Sequence, residues 1–348
     1  MTDNHGYYYV FVGSYGNKDD QSIQLLLFDS TSGNLRKTGS TSGIMNPSFL
    51  TVNKEKTRLY SISEEDPGEI VSFSIELGSG KLSEINRQPT VGSSPCFVSL
   101  DPYDQLLFTA NYGGGSITVF PLNQEGSISP FSDFKRYTDT VLKKSSHPHQ
   151  IKNIPNTNKY LITDLGMNRI YLYQFDYMTS KLELLNEIVA VPESGPRHLT
   201  LHGERRIIYV ANEYNSNISV YTYDEGFEIF ELIQEIETIP SHIETLNYCS
   251  DIHISSCQSY LYVSNRGHNS LAAYQILDDG ELKLLGHSLT MGEWPRNFGI
   301  VPDGKHILVA NQHSDSIVVM KIGSNGIPQT TSQHYSVKSP ACLYIMNA

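Results

Sequence analysis

The sequence predicts an all-β fold, a seven-bladed β-propeller of four-stranded antiparallel blades. Three observations indicate it: a phrase that recurs about every 50 residues, a proline at a fixed distance before the phrase, and two chain ends that complete one another. Internal repeats of this period, with no helical pattern between them, are typical of propellers. The alternative is an open β-solenoid, which would leave strand edges exposed. We expect one domain over residues 1–348.

The recurring phrase is an apolar run, a marker residue (Asn, Asp or Ser), a polar turn and a second apolar run. It is clearest in residues 106–120, 160–173, 207–221, 260–274 and 306–320, and degenerate in 11–16 and 58–75. The aligned markers are Ser14, Ser63, Asn111, Asp164, Asn212, Asn265 and Asn311, at intervals of 49, 48, 53, 48, 53 and 46 residues. Short apolar runs joined by turns rich in Asn, Asp and Gly are typical of strands in a meander.

A proline fixes where each blade begins. Five units carry it 16 residues before the marker, at Pro47, Pro95, Pro148, Pro196 and Pro295, and Cys249 takes its place in a sixth. The first residue of a strand need not donate to the ladder, so a proline is tolerated there. The segment after the proline is therefore predicted to be the first, innermost strand of each blade, and the marker strand the second.

The two ends of the chain complete one blade. Pro340 is a seventh copy of the proline, but the chain ends at Ala348, before a marker strand follows. The missing strand is found at the N-terminus, in residues 7–15. We therefore expect the C-terminal strand to pair with the N-terminal one and close the ring, which removes the free edges.

Composition argues against several classes of partner. The formal net charge is −12 without a basic run, so nucleic acid and anionic membranes are poor partners. The apolar runs are as short as strands, so we expect no membrane-spanning segment. Residues 1–10 lack the charged and then apolar pattern of a secretory leader, so we expect none there. The four cysteines form no CxxC pair, which indicates a reducing, cytoplasmic setting. The oligomeric state is left open.

Functional residues are sought where one repeat carries something that the fold does not need. The residue after the proline reads Ser48, Cys96, His149, Arg197, Ser250, Arg296 and Ala341 around the ring, and the residue after the marker reads Tyr15, Glu64, Tyr112, Leu165, Glu213, Arg266 and Gln312. Ionisable residues concentrate in consecutive units, with His198 and Asn297 beside them. Three arginines around one channel predict an anion site, because guanidinium is a permanently charged fork suited to carboxylate or phosphate. The alternative, in which they are structural partners of acids such as Glu213 and Asp251, stays open.

Two further motifs are weaker indications of function. The Gly-rich segment 111–116 joins two strands and opens no helix, so it is predicted to be a hairpin turn rather than a phosphate loop. His147 and His149 lie two apart on a strand, but neither cysteine nor carboxylate accompanies them at ligand spacing. We therefore expect neither a metal nor another cofactor.

At these residues the chain resembles the propeller lactonase family, which includes bacterial 6-phosphogluconolactonases and fungal carboxy-muconate lactonising enzymes. The phrases that carry the resemblance are HPHQ (147–150), SGPRHL (194–199), YVANEYNSNISVY (209–221), DIHIS (251–255), YVSNRGHNS (262–270), PRNF (295–298) and LVANQHSDSI (308–317). The resemblance implies a metal-independent catalytic cleft of His149, Arg197, Glu213 and Arg266. The comparison of equivalent positions in the repeats, after the proline and after the marker, selects the same residues. Arg296, His198 and Asn297 are the expected substrate-binding residues.

The leading hypothesis is hydrolysis of a small anionic lactone, 6-phospho-D-glucono-1,5-lactone. Glu213 is the predicted base, Arg197 and Arg266 bind oxyanion and phosphate, and His149 is an acid or a further oxyanion donor. The roles of Glu213 and His149 are interchangeable at this stage. The alternatives are cycloisomerisation of a carboxylated muconate and a non-catalytic propeller that binds a protein or a small anion. Whether the activity serves the pentose phosphate pathway is not decided by the sequence.

Overall fold

The computed structural model describes residues 6–138, 144–243 and 245–348. In these residues it contains 28 strands and one short 3₁₀ helix, Gln312–Ser314. The strands form seven four-stranded antiparallel sheets. This confirms the predicted seven-bladed propeller. Within the same ranges, no helix has the length and apolarity needed to cross a membrane.

The strands of each blade follow one another from the channel outward. Blade 1 contains β1 (Tyr7–Ser14), β2 (Ile23–Asp29) and β3 (Asn34–Thr41); blade 2 contains β4 (Leu50–Val52), β5 (Arg58–Ser63), β6 (Glu69–Glu76) and β7 (Lys81–Pro89). Blade 3 contains β8 (Pro95–Leu100), β9 (Leu106–Asn111), β10 (Ser116–Pro121) and β11 (Asp133–Arg136); blade 4 contains β12 (Pro148–Asn153), β13 (Lys159–Asp164), β14 (Arg169–Asp176) and β15 (Lys181–Val189). Blade 5 contains β16 (Pro196–Leu201), β17 (Ile207–Asn212), β18 (Asn217–Tyr223) and β19 (Phe230–Glu237); blade 6 contains β20 (Tyr248–Ile254), β21 (Tyr260–Arg266), β22 (Ser270–Ile276) and β23 (Leu282–Leu289). Blade 7 contains β24 (Pro295–Ile300), β25 (His306–Asn311), β26 (Ser316–Ile322) and β27 (Pro328–Ser336), and β28 (Pro340–Asn347) completes blade 1.

The ring closes through the two chain ends. β28 pairs with β1, from Tyr8 opposite Asn347 to Gly13 opposite Cys342, and becomes the innermost strand of blade 1. Each innermost strand contacts the innermost strand of the next blade, all the way round the ring. The closure predicted from Pro340 and residues 7–15 is therefore confirmed.

Buried aromatic side chains join neighbouring blades. Phe108 of blade 3 packs on Tyr160 of blade 4, with ring centroids 4.6 Å apart. The hydroxyl of Tyr209 in blade 5 donates to the carbonyl of Gly280 in blade 6 at 2.9 Å, and Tyr262 makes the corresponding bond to Gly326 in blade 7. Tyrosine suits this position because its ring fills the interface while its hydroxyl finds a partner at the edge.

The marker residue has a structural purpose, which explains why it recurs. The buried amide of Asn111 donates to the carbonyl of Thr90, at the end of the preceding blade's outer strand. Asn265 and Asn311 do the same to Thr238 and Thr290. Each bond satisfies a buried carbonyl where one blade leads into the next. The Gly-rich segment after Asn111 is the turn between β9 and β10, as predicted.

Candidate active site

A β-bulge at the start of the inner strands positions the residue after the proline. In β12 the ladder passes from Pro148 directly to Gln150, so His149 has no partner residue. The same shift leaves out Cys96 in β8, Arg197 in β16 and Arg296 in β24. A bulge frees a residue from the alternation of the strand and re-aims its side chain. In these blades the residue after the proline therefore presents its side chain to one end of the central channel.

Glu213 is held between two arginines of this layer. Its Oε2 accepts a hydrogen bond from Arg266 Nη2 at 2.7 Å and lies 2.9 Å from Arg197 Nε. The Nε–H of Arg197 does not point at Oε2, so that contact is an ion pair without a hydrogen bond. The side chains of Arg197, Arg266 and Glu213 are 2%, 6% and 16% exposed, so the charges interact away from bulk water.

The charges on these groups favour an ionised carboxylate. Burial would raise the pKa of Glu213, but Arg266 and Arg197 outweigh it and hold the pKa below its ordinary value. Glu213 Oε1 accepts no hydrogen bond from another described residue, so it is available to a ligand or to water. Backbone carbonyls of Ser250 and Cys249 fix the two guanidinium groups from behind, at 2.8 and 3.0 Å.

Two glycines permit this arrangement. Gly267 follows Arg266 with φ +117°, and a Cβ there would lie 2.1 Å from the carbonyl oxygen of Leu246. Gly195 lies two residues before Arg197 with φ +67°, and a Cβ there would lie 2.5 Å from the ring of Tyr214. Only glycine fits both the backbone angle and the space, so the two arginine positions depend on these residues.

His149 is buried between aromatic rings. Its ring centroid lies 4.9 Å from that of His198 and 6.0 Å from that of Tyr112. Its Nδ1 is buried and has no hydrogen-bond partner among the residues described. Burial and the charge of Arg197 lower the pKa of His149 well below its ordinary value, so the imidazole is neutral at pH 7.

His198 and Asn297, both predicted to bind substrate, are engaged by Asp251. His198 Nδ1 donates to Asp251 Oδ1 at 2.8 Å, and Asn297 Nδ2 donates to Oδ2 at 2.6 Å. The amide oxygen of Asn297 accepts from the backbone N–H of Leu343. Both side chains line the cavity beneath the arginines and also a larger cavity below. They therefore belong to the partition across the channel, together with Phe49 and Phe97, whose ring centroids lie 4.4 Å apart.

Arg296 lies in the same layer without an anionic partner. Within residues 6–138, 144–243 and 245–348 its guanidinium makes neither a hydrogen bond nor an ion pair, and its Cζ lies 5.4 Å from the ring centroid of Tyr15. It lines the cavity that also contacts His149 and Arg197. Its donors are therefore free to bind an anion.

The sequence left the place of Trp294 open between the core and the channel wall, and did not select Tyr248. The guanidinium of Arg266 lies 5.4 Å from the ring centroid of Trp294 and 5.9 Å from that of Tyr248. Trp294 also stacks on His313 with ring centroids 4.8 Å apart, so the single tryptophan lies between His313 and Arg266. Its place immediately before Pro295 and Arg296 was a usable signal. Asp251 was seen only as a neighbouring acid, because nothing local shows which histidines it contacts.

A larger cavity lies at the other end of the channel. Its volume is about 710 Å³, and its wall is mainly apolar but includes the side chain of Lys152. No guanidinium lines it among the described residues, so we locate the candidate site at the smaller, charged end. His147, the other half of the His-Pro-His motif, stacks on Tyr112 and donates from Nδ1 to the Tyr112 carbonyl at 2.8 Å.

Comparison with known proteins identifies the family. A family model described as a lactonase with a 7-bladed β-propeller matches residues 9–345. The chain belongs to this lactonase family. The 6-phosphogluconolactonase of Bacillus subtilis is 29% identical over 98% of this chain and 99% of its own length. The 6-phosphogluconolactonase of Formosa agariphila is 32% identical over 90% and 92%. The structure of the periplasmic gluconolactonase of Pseudomonas aeruginosa has a TM-score of 0.91 and 26% identity, over 98% of this chain and 99% of the other. These likenesses support lactone hydrolysis as the activity of this family member.

Proposed function

We propose that the protein hydrolyses 6-phospho-D-glucono-1,5-lactone to 6-phosphogluconate. The observation that carries this proposal is Glu213, an ionised carboxylate fixed through Oε2 by two arginines, with Oε1 free in a channel that also holds an unpaired guanidinium. Lactone hydrolysis needs a base for water and cationic donors for the oxyanion, and this arrangement supplies both.

Glu213 is the proposed general base. Its Oε1 takes a proton from water as the water oxygen bonds to the lactone carbonyl carbon, and the carbonyl electron pair moves onto oxygen. When the intermediate collapses, the bond to the ring oxygen breaks and that oxygen takes the proton. The neutral imidazole of His149 donates a hydrogen bond to the oxyanion or passes the proton to the ring oxygen. A base role for His149 is disfavoured, because burial and Arg197 oppose an imidazolium there.

The other predicted residues take supporting roles. Arg266 and Arg197 keep Glu213 ionised and stabilise the negative charge that develops on the carbonyl oxygen of the lactone. Arg296 binds the phosphate, since its donors are not engaged elsewhere in the described residues. His198 and Asn297 contact substrate only as the floor of the cavity, held there by Asp251. The reaction requires no redox step.

The test is the rate of loss of 6-phosphogluconolactone with purified protein, measured against spontaneous hydrolysis. We expect a clear acceleration that disappears in Arg266→Ala. No acceleration over the spontaneous rate would overturn the proposal and direct the assay to carboxylated muconolactones. We further propose a cytoplasmic location, supported by four free cysteines, three of them buried. A role in the pentose phosphate pathway is a further proposal that rests on the proposed substrate alone.

A further inference from the structure

A second carboxylate at the same end of the channel is not used by the proposed mechanism. Glu64 follows the marker Ser63 in blade 2, the slot that Glu213 occupies in blade 5. Three blade positions separate the two, so in a ring of seven they stand on opposite sides of the channel. The two acids share the same position in the repeat, and their contacts distinguish them.

Glu64 is held by hydroxyl groups, whereas Glu213 is held by guanidinium groups. Glu64 Oε2 accepts from the hydroxyl of Tyr15 at 2.7 Å and from the hydroxyl of Ser48. Its Oε1 accepts no hydrogen bond from another described residue, and the side chain is half-buried. Ser48 is 2% exposed and lines the cavity that also contacts Arg296, His149 and Arg197. The free oxygen of Glu64 is thus fixed at the edge of the candidate site.

The charges of the two walls therefore differ. The wall of Arg197 and Arg266 is cationic, and the wall of Tyr15, Ser48 and Glu64 is anionic and rich in hydroxyl groups. Arg296 stands between them: burial would lower its pKa, but Tyr15, Glu64 and Glu213 raise it instead. A fixed carboxylate oxygen accepts hydrogen bonds from hydroxyl groups and repels other carboxylates.

We propose that Glu64, positioned by Tyr15 and Ser48, is a subsite that accepts hydrogen bonds from the hydroxyl groups of the substrate and so selects polyhydroxylated sugar lactones over carboxylated ones. The inference rests on the proposed lactonase function. It narrows the substrate class independently of the phosphate: a sugar lactone presents several hydroxyl donors to this wall, whereas a muconate-type lactone presents a carboxylate that Glu64 repels.

The experiment compares kcat/KM for D-glucono-1,5-lactone with kcat/KM for δ-valerolactone, which has the same ring without hydroxyl groups. Wild type is expected to prefer the hydroxylated lactone, and Glu64→Ala to lower that preference by about 10- to 100-fold, as for loss of a hydrogen bond to a charged group. Glu293→Ala, at an exposed acid of the same end of the propeller, is the matched control and should keep the wild-type preference. Glu64→Gln keeps an acceptor but loses the charge, so it should retain part of the preference and accept muconolactone better than wild type does.

The outcomes separate the two proposals. An unchanged preference in folded Glu64→Ala overturns the subsite and leaves the lactonase function standing. A wild type that hydrolyses both lactones equally well does the same. A wild type that accelerates neither these lactones nor the phosphorylated one overturns both. Should Glu64→Ala fail to fold, Ser48→Ala removes one of the two hydroxyls that position Glu64 and must lower the preference severalfold for the subsite to stand.

Discussion

Replacing Glu213 with Gln tests the centre of the site. The change keeps the shape of the side chain and removes the one negative charge that contacts both Arg197 and Arg266, at 2.9 and 2.7 Å. Two charges about 4 Å apart at an effective dielectric constant of about 20 interact with roughly 4 kcal/mol. Solvent reaches 16% of the Glu213 side chain and screens part of this interaction, so the loss on removing the charge is smaller than the Coulomb value.

From these values we expect Glu213→Gln to lower the free energy of unfolding by about 3 kcal/mol, the lower end for breaking a buried ion pair. We expect kcat to fall by about 10²-fold or more, because an amide cannot take the proton from water. Urea unfolding measures the first quantity, and hydrolysis of 6-phosphogluconolactone near neutral pH measures the second. Glu125→Gln, at an exposed acid between β10 and β11, is the control for loss of a charge alone.

Two results would contradict this reasoning in different ways. If the folded variant loses stability but keeps kcat within about threefold of wild type, Glu213 only holds the arginines and is not the base. If kcat falls while the free energy of unfolding is unchanged, the ion pairs contribute little, as most exposed pairs do. Only the loss of both supports the arrangement described above.

Three further predictions follow from the same site. Arg296→Ala should reduce the preference for 6-phosphogluconolactone over gluconolactone by about 10- to 100-fold in kcat/KM, whereas equal losses on both substrates would refute phosphate binding by this residue. The pKa of buried His198 is lowered to about 4 and that of His149 well below 6.5, so the unfolded chain takes up protons before the folded one. Stability should therefore fall as the pH drops below about 6.5, and His198→Gln should lessen that loss in urea titrations at several pH values. Because the pKa of Glu213 is held below its ordinary value, kcat/KM for unphosphorylated gluconolactone should stay flat from pH 8 to about 5.5, and a fall within that range would show that ionisation of Glu213 does not control the rate.

Much of the fold was predictable because its determinants are local. The proline at the start of an inner strand, the marker and the turn after it are read within about 20 residues, and each reports strand or turn chemistry directly. Ring closure was also predictable. The segment after Pro340 lacks a marker strand and the N-terminal marker strand lacks an inner strand before it, so the two are expected to pair in one blade.

The candidate site was only partly predictable. Comparing equivalent slots selected Arg197, Glu213 and Arg266, and the structure brings these three into contact. The same comparison passed over Glu64, because blade 2 lies outside the consecutive units in which the ionisable residues concentrate. It also set His198 beside the substrate, whereas its contact with Asp251, 53 residues away, places it in the floor.

The sequence by itself determined the repeat, the number and order of strands, the closure of the ring and which residue types are concentrated at one end of the channel. These follow from strand alternation, turn chemistry and spacing, which act over a few residues. Only the tertiary structure decided which charges meet, which remain unpaired and which histidines are neutral. The contact of Arg266 with Glu213 spans 53 residues and two blades, and it exists because both residues stand at the ends of the second strands of adjacent blades, which the ring packs side by side. Burial and neighbouring charge then set the protonation state of each group, and neither can be read from a single stretch of chain.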